Sequence, residues 1–395
     1  MTVGLPYIEH LQRNSKNVLD GIFWVEQSAS TGKRELYYDS AKSPSAGRVR
    51  WAPEQSVQNC VHEYGGGSFI PLKDGSVVYS TVEGVFHQKR PDAAPKQLAD
   101  ANEKKLRFAD FTAADKHVYC VNEAHLRPGV DPENRLISID KETKEQKVVA
   151  SGADFYASPR VSPDGKRLVW MQWNHVNMPW DETSIHMAVL HEDGTASDEV
   201  VIKDGTGKKI NYYCPSWVDD KLLMVNDSTN FWNVYEVSTM GPECRLHAWP
   251  KALCRLNHIK KRTCSLLIER SATLYGNLRT DPMPQMDLAW YFDVWRSDPL
   301  YSGRLMFRRD ASIRTVSTPG YTVFSHLSIT QGDIDEDPAI TVIRTARDDK
   351  DLESLDISEP EHIEFQSDEI PVSAWLYMPK NHNYVGPNGT LPPVL

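Results

Sequence analysis

Four times along this chain a turn containing aspartate is followed directly by an apolar strand. Lys73-Asp74-Gly75 precedes 76–79, Ala114-Asp115-Lys116 precedes 117–121, Ser162-Pro163-Asp164-Gly165 precedes 168–173, and Asp219-Asp220-Lys221 precedes 222–225. Pro163 presets φ for a turn, and Gly165 supplies the positive φ that side chains resist. The strands carry the β-branched and aromatic residues that suit a pleated, packed surface. A second short strand follows each unit, at 84–87, 135–140, 184–189 and 233–237, and turns such as Glu192-Asp193-Gly194 close them. An earlier unit reads at 21–25 with 35–38, and a later one at 321–329 with 339–344. No amphipathic helix of ordinary length interrupts the series. The turn aspartates Asp74, Asp115, Asp164 and Asp219 lie 41, 49 and 55 residues apart. That is the period of a four-stranded propeller blade with loop insertions. A radial array lets many meanders share cores while leaving few exposed edges. The expected fold is therefore all-β: a seven-bladed β-propeller, with eight blades as the alternative count, over residues 20–360 after an extension at 1–19.

Two stretches break the pattern. Residues 244–270 hold seven Lys/Arg against the single acid Glu269, inside a chain of net charge −10. Residues 271–300 are irregular and carry Pro282, Pro284 and Pro299. The overall acidity argues against a nucleic-acid surface or an anionic-membrane surface. No run is apolar for long enough to span a bilayer. The first residues lack a basic segment followed by an apolar one, so the expected location is the cytoplasm. Six cysteines stand singly, with no CxxC pair, and read as reduced thiols. Asn226-Asp-Ser and Asn388-Gly-Thr match the glycosylation pattern but read as chance matches without a secretory signal.

Several constellations invite a chemical reading. His62-Glu63-Tyr64-Gly65-Gly66-Gly67 looks like an oxyanion loop, but such a loop needs its glycines directly after the histidine. The simpler reading is a tight, glycine-permitted backbone between strands. Cys244, His247, Cys254, His258 and Cys264 offer soft ligands, yet their spacing fits no standard zinc pattern. The basic stretch lacks an RNA-binding module around it. Asp131, Glu133, Asp333, Asp335, Glu336 and Asp337 lack the spacing of a calcium loop. No metal site and no cofactor are expected. Trp180 and Asp181 lie in a loop after a strand, where they either line a site or, respectively, pack on a neighbouring blade and cap a turn.

Residues 151–181 (SGADFYASPRVSPDGKRLVWMQWNHVNMPWD), the His62–Gly67 motif, and Asp227-Ser228-Thr229-Asn230-Phe231-Trp232-Asn233-Val234-Tyr235 together carry a resemblance. So do Ser317-Thr318-Pro319-Gly320-Tyr321-Thr322 and Phe324-Ser325-His326-Leu327. They resemble the propeller of the prolyl oligopeptidase family of serine peptidases, in its acylaminoacyl-peptidase and dipeptidyl-peptidase-like branch. Residues 361–380 and Leu391-Pro392-Pro393-Val394-Leu395 are similar to the strands that open that family's α/β-hydrolase domain. The resemblance implies a non-catalytic propeller followed, at 361–395, by an incomplete start of the hydrolase domain. The parent activity would be hydrolysis of short peptides by a Ser-His-Asp triad. The chain contains no GxSxG nucleophile elbow and no oxyanion segment, so it is expected to be inactive as given. Glu63, Trp180 and Asp181 are the expected substrate contacts, Glu63 because the family meets its peptide at the propeller's inner rim. Short peptides are the expected partners if the catalytic domain is supplied. The alternative function is a catalytically dead interaction propeller that binds a protein partner or a paralogue.

Overall fold

The structure, a computed structural model, describes residues 48–218 continuously, with 23–28, 30–39, 220–228 and the flanking strands named below. Five antiparallel meanders follow one another. The first is β1 (Tyr7–Arg13), β2 (Leu19–Gln27), β3 (Arg34–Ser40) and β4 (Val49–Trp51). The second is β5 (Phe69–Pro71), β6 (Val77–Thr81), β7 (Gly84–Gln88) and β8 (Lys96–Asp100). The third is β9 (Leu106–Ala114), β10 (His117–Ala124), β11 (Glu133–Asp140) and β12 (Gln146–Ser151). The fourth is β13 (Phe155–Val161), β14 (Arg167–Trp173), β15 (Ser184–Leu190) and β16 (Ala196–Asp204). The fifth is β17 (Tyr212–Val218), β18 (Lys221–Asn226), β19 (Asn233–Val237) and β20 (Leu246–Ala248). In each, every strand pairs with its successor. Among the described residues the one helical turn is a 3-10 turn at Val61–Glu63, and no helix is long and apolar enough to cross a membrane.

The strand and turn expectations hold at the turns of Asp74, Asp115 and Asp164, and the strand expected at 222–225 lies within β18, while Asp219 itself is outside the described residues. Asp74 accepts the Ser76 N–H at 3.0 Å, and Asp164 accepts the Lys166 N–H at 3.1 Å. Gly75 and Gly165 take φ of 85° and 74°. One expectation fails. The stretch 271–300 contains the strand Trp290–Arg296, which pairs with Arg262–Ser265 and Ser302–Phe307, the last also pairing Arg314–Thr318. The prolines flank this strand rather than enter it, and its aromatic and β-branched residues favour extension. Toward the C-terminus, His326–Gln331 pairs with Ala339–Thr345, and Pro360–Ser367 with Ile370–Tyr377. The strand expected near Val394 lies outside the described residues.

Consecutive sheets pack face to face. Every residue of β6 and of β10 is buried. Alternate side chains on one strand enter different cores. Val78 joins Phe108, Val118 and Ile137, whereas Val77 and Tyr79 join Phe23, Leu36 and Trp51. Trp170 joins Tyr119, Leu136 and Tyr156, whereas Val169 and Met171 join Leu222 and Met224. Each such side chain contributes about 1.5–3 kcal/mol on burial. The first strands β5, β9, β13 and β17 contact one another in turn, so they form the inner side. β12 and β16 are the exposed outer strands. There Lys96 Nζ donates to Lys141 O at 2.8 Å, and Lys147 Nζ to Asp193 O at 3.0 Å, each gripping the outer turn of the next sheet. This stacking is what propeller blades require.

The inner strands share a defect. Asp110, Ser158 and Cys214 take φ of 55°, 51° and 49°, each at a register break in the ladder to its neighbour. Such bulges bend and twist a strand. The Asp110 carboxylate accepts the Gly67 N–H at 2.5 Å and, at 3.5 Å, the Ser158 N–H, so it joins three consecutive inner segments. Removing it leaves these donors short of an acceptor. Asp110→Ala should lower the unfolding free energy by about 2–3 kcal/mol in urea titrations, with Asp110→Asn recovering part of the loss.

Acid should unfold the chain in two stages. Burial holds His87 and His117 below the ordinary imidazole value. Below about pH 6.5 the unfolded chain therefore binds more protons than the folded one, and stability falls as pH falls. The Ser162 hydroxyl and the Lys166 N–H hold Asp164 below the usual carboxylate range, and the Thr143 N–H foremost does the same for Asp140. Their contribution is complete above the unfolded carboxylate value near pH 4 and is lost below it. Urea midpoints measured from pH 8 to pH 3 should show both declines; a midpoint rising between pH 7 and pH 5 would contradict the first.

Candidate functional site

One end of the stack gathers the starts of β9, β13 and β17, the ends of β10, β14 and β18, and the loops 125–132 and 174–183. The His62–Gly67 motif enters here between the first two sheets. Asn59 folds it by accepting the Gly66 N–H at 2.9 Å and donating to Gly66 O at 3.1 Å. Gly65 sits at φ 88°, and a Cβ there would lie 2.7 Å from Asn59 O. At Gly67 a Cβ would lie 2.9 Å from Asp110 Oδ1. The glycines thus serve close backbone approach, as the simpler reading expects.

His62 and Glu63 are consecutive non-glycine residues in the left-handed region, at φ 54° and 69°. Each costs about 1–3 kcal/mol and persists only where its surroundings over-determine it. Here three contacts do so. The His62 N–H donates to Glu123 Oε2 at 2.7 Å. The His62 ring stands edge-on to Phe155 and Trp173, with centroids at 5.2 and 5.6 Å. Arg107 Nη1 lies 2.8 Å from Glu63 Oε1. The same nitrogen donates to Cys60 O at 2.7 Å and to Glu123 Oε1 at 2.9 Å. Glu123 also meets His125 Nε2 at 2.6 Å and is only 1% exposed. The Glu63 side chain, by contrast, is 76% exposed.

Burial, the largest influence, pushes His62 below the ordinary imidazole value, against the opposing pull of Glu123 and Asp110. The Arg107 hydrogen bond and charge hold Glu63 below the usual carboxylate range. Glu63, Glu123 and His125 bring ligand atoms within 4.8 Å of one another. The Arg107 guanidinium lies against both carboxylates, so the donor set is already an ion-pair network. Orphaned polar atoms also collect at this end. Asn211 Oδ1 and Asn226 Nδ2 are buried without a hydrogen-bonding partner, and buried side-chain atoms of His62 and Asn134 face each other.

Trp180 is 58% exposed. Asp181 caps its own turn by accepting the Met178 N–H at 2.8 Å. The loop is stapled throughout: Asn177 Nδ2 donates to Glu182 Oε1 at 2.7 Å, the His175 N–H to Asp154 Oδ2 at 2.9 Å, and Asn211 Nδ2 to Trp180 O at 2.6 Å. It holds Val176, Met178 and Trp180 outward, while Tyr64, Leu126 and Val130 are exposed at the same end. Glu63 and Trp180 share this end and are linked through the His62 ring and Trp173, whose strand leads into the Trp180 loop.

Sequence reasoning nominated Glu63, Trp180 and Asp181 but not Arg107, Glu123 or His125. The one local signal that could have pointed to them is Asn122-Glu123, a polar pair late in the strand HVYCVNEA. Asn226 is fully buried, which bars a glycan there in the folded chain. Asp131 and Glu133 are exposed. The side chains of 244–270 and of 333–337, and Asn388, lie outside the described residues.

No family model and no curated protein matches the chain. Solved structures do. A puromycin-hydrolysing peptidase of Mycobacterium tuberculosis superposes with TM-score 0.64 and 21% identity, covering 99% of this chain and 60% of that one. Puromycin hydrolase superposes with TM-score 0.66 and 18% identity, covering 99% and 61%. A mutant of it complexed with PGG gives the same values. At these identities what is shared is the fold, and the chain spans about three-fifths of the length of these relatives.

The ion-pair network predicts unequal losses. Arg107→Met should cost about 2–3 kcal/mol by urea unfolding. That is below the 3–5 kcal/mol of a fully buried pair, because the His62 N–H and His125 still meet Glu123. Glu63→Gln, at the exposed side of the same guanidinium, should change stability by less than about 1 kcal/mol.

Proposed function

We propose that these residues form the propeller part of a serine peptidase of the prolyl oligopeptidase family, and that the end bearing Glu63 and Trp180 meets short peptides. One observation carries this reading: the fold match takes in 99% of this chain but only 60–61% of the puromycin-hydrolysing peptidases. That is the coverage expected if these residues correspond to the propeller part of such a peptidase. The motifs at residues 62–67 and 151–181 support the same family. The propeller then occupies 20–360, with seven blades preferred to eight, and 361–395 opens an α/β-hydrolase domain. The parent activity is hydrolysis of short peptides, of acylaminoacyl or dipeptidyl type.

The chemistry of the rim fits such a ligand. Glu63 offers an exposed carboxylate on a backbone that is fixed from three sides. A peptide's terminal ammonium complements it. Trp180, Met178 and Val176 offer an apolar surface on a stapled loop, so little entropy is lost on contact. Asp181 contributes by shaping that loop. The same exposed apolar group favours a second reading, an interaction propeller that binds a protein partner without any nucleophile.

These 395 residues carry no GxSxG elbow, so the purified chain should match the blank on acyl-aminoacyl and dipeptidyl chromogenic substrates. Turnover blocked by a fluorophosphonate would overturn that expectation. The tripeptide Phe-Gly-Gly should bind the chain in calorimetry, and Glu63→Gln should weaken it about tenfold, the loss of one charge-assisted hydrogen bond. Equal binding by both proteins would remove Glu63 from the site.

A further inference from the structure

His62 is only partly exposed, and the restraints on Glu63 pass through it or beside it. Its ring occupies a slot edge-on against the stacked pair of Phe155 and Trp173, its N–H is tied to buried Glu123, and its own left-handed φ is continuous with that of Glu63. The seated ring is one of the three contacts that hold these two residues in succession. We propose that His62 is a positioning residue whose uncharged ring holds the Glu63 carboxylate out for a peptide ammonium, and whose protonation releases it. The proposal rests on the reading of Glu63 as a peptide contact.

The groups around the ring set the sign. From the third sheet, Glu123, Asp110 and the Asn134 side chain favour the charged ring, while the Arg107 guanidinium and the His125 ring both meet Glu123. From the fourth sheet come Phe155 and Trp173, with His175 packed edge-on to Phe155 at 5.1 Å and Asp154 bound to the His175 N–H. On its own turn lie Glu63 and Tyr64. Against the favourable carboxylates stands the cost of charging a buried ring packed against the Phe155–Trp173 pair, and burial is the larger effect. The slot therefore takes the neutral imidazole. On acidification the folded chain gains a proton at His62 only by unseating the ring, and the turn then relaxes out of its left-handed conformation. Glu63 itself keeps its charge over this range, because Arg107 holds its carboxyl low.

The test is Phe-Gly-Gly affinity from pH 7.0 to pH 5.0, by calorimetry on the full chain, with NMR following the His62 imidazole. Wild type should weaken about tenfold across the range, with the same midpoint as the His62 titration. His62→Phe keeps an uncharged ring in the slot and should bind with little pH dependence. His62→Gln empties the slot and should bind weakly throughout. A His62→Phe protein that keeps the wild-type pH profile overturns the inference, as does a His62 titration that leaves affinity unchanged. The Glu63→Gln variant separates the two readings. If it binds as wild type does at pH 7.0, the peptide site itself is wrong. If it weakens while His62→Phe keeps the wild-type profile, only the role of His62 is wrong.

Discussion

A strand buried on both faces cannot stand in a single sheet. Every residue of β6 and β10 is buried, and neighbours along these strands enter opposite cores. Each meander must therefore be covered on both sides, and the cheapest cover is another meander of the same kind. That requirement turns a series of hairpin-connected sheets into a stack with an inner and an outer side. The outer strands β12 and β16 face solvent, exposing Val148, Val200 and Val201 beside Asp198 and Glu199, and the lysines Lys96 and Lys147 tie each sheet to the turn of the next. The inner strands must converge, and they do so through the bulges at Asp110, Ser158 and Cys214.

Convergence at the inner side is what gives the candidate site its rigidity. Asp110 binds the backbone of Gly67 and Ser158, so the glycine-rich segment cannot move independently of the third and fourth sheets. His62 and Glu63 sit at the head of that segment with two left-handed residues in succession. The strain is held by one buried carboxylate, Glu123, which collects His62, Arg107 and His125. A buried acid with three polar partners is costly to assemble and costly to disturb, and such an anchor suits a side chain that has to be presented at a defined place.

Much of the architecture was legible because its signals are local. Turn aspartates, Gly165 and alternating β-branched residues act within a few positions of themselves, and the strands fall where those signals put them. The strand at Trp290–Arg296 was hidden by the flanking prolines, which mark loop edges as readily as they mark irregular chain. At the site, the exposed Glu63 and Trp180 could be nominated from their motif and loop. Arg107, 44 residues from Glu63, and Glu123, 61 residues from His62, could not, because neither lies in a motif and their meeting depends on the sheets being stacked.

The amino-acid sequence by itself determined the all-β class, the turn-and-strand period and the absence of a GxSxG nucleophile from these 395 residues. These follow from backbone preferences and from which residues are present. Only the tertiary structure decided that the HEYGGG segment is a strained, glycine-packed support rather than an oxyanion loop, and that Asp181 serves its own turn while Trp180 faces outward. Those outcomes depend on close approach between residues far apart in the chain. Such approach is set by the packing of one sheet against the next and leaves no periodic trace along the sequence.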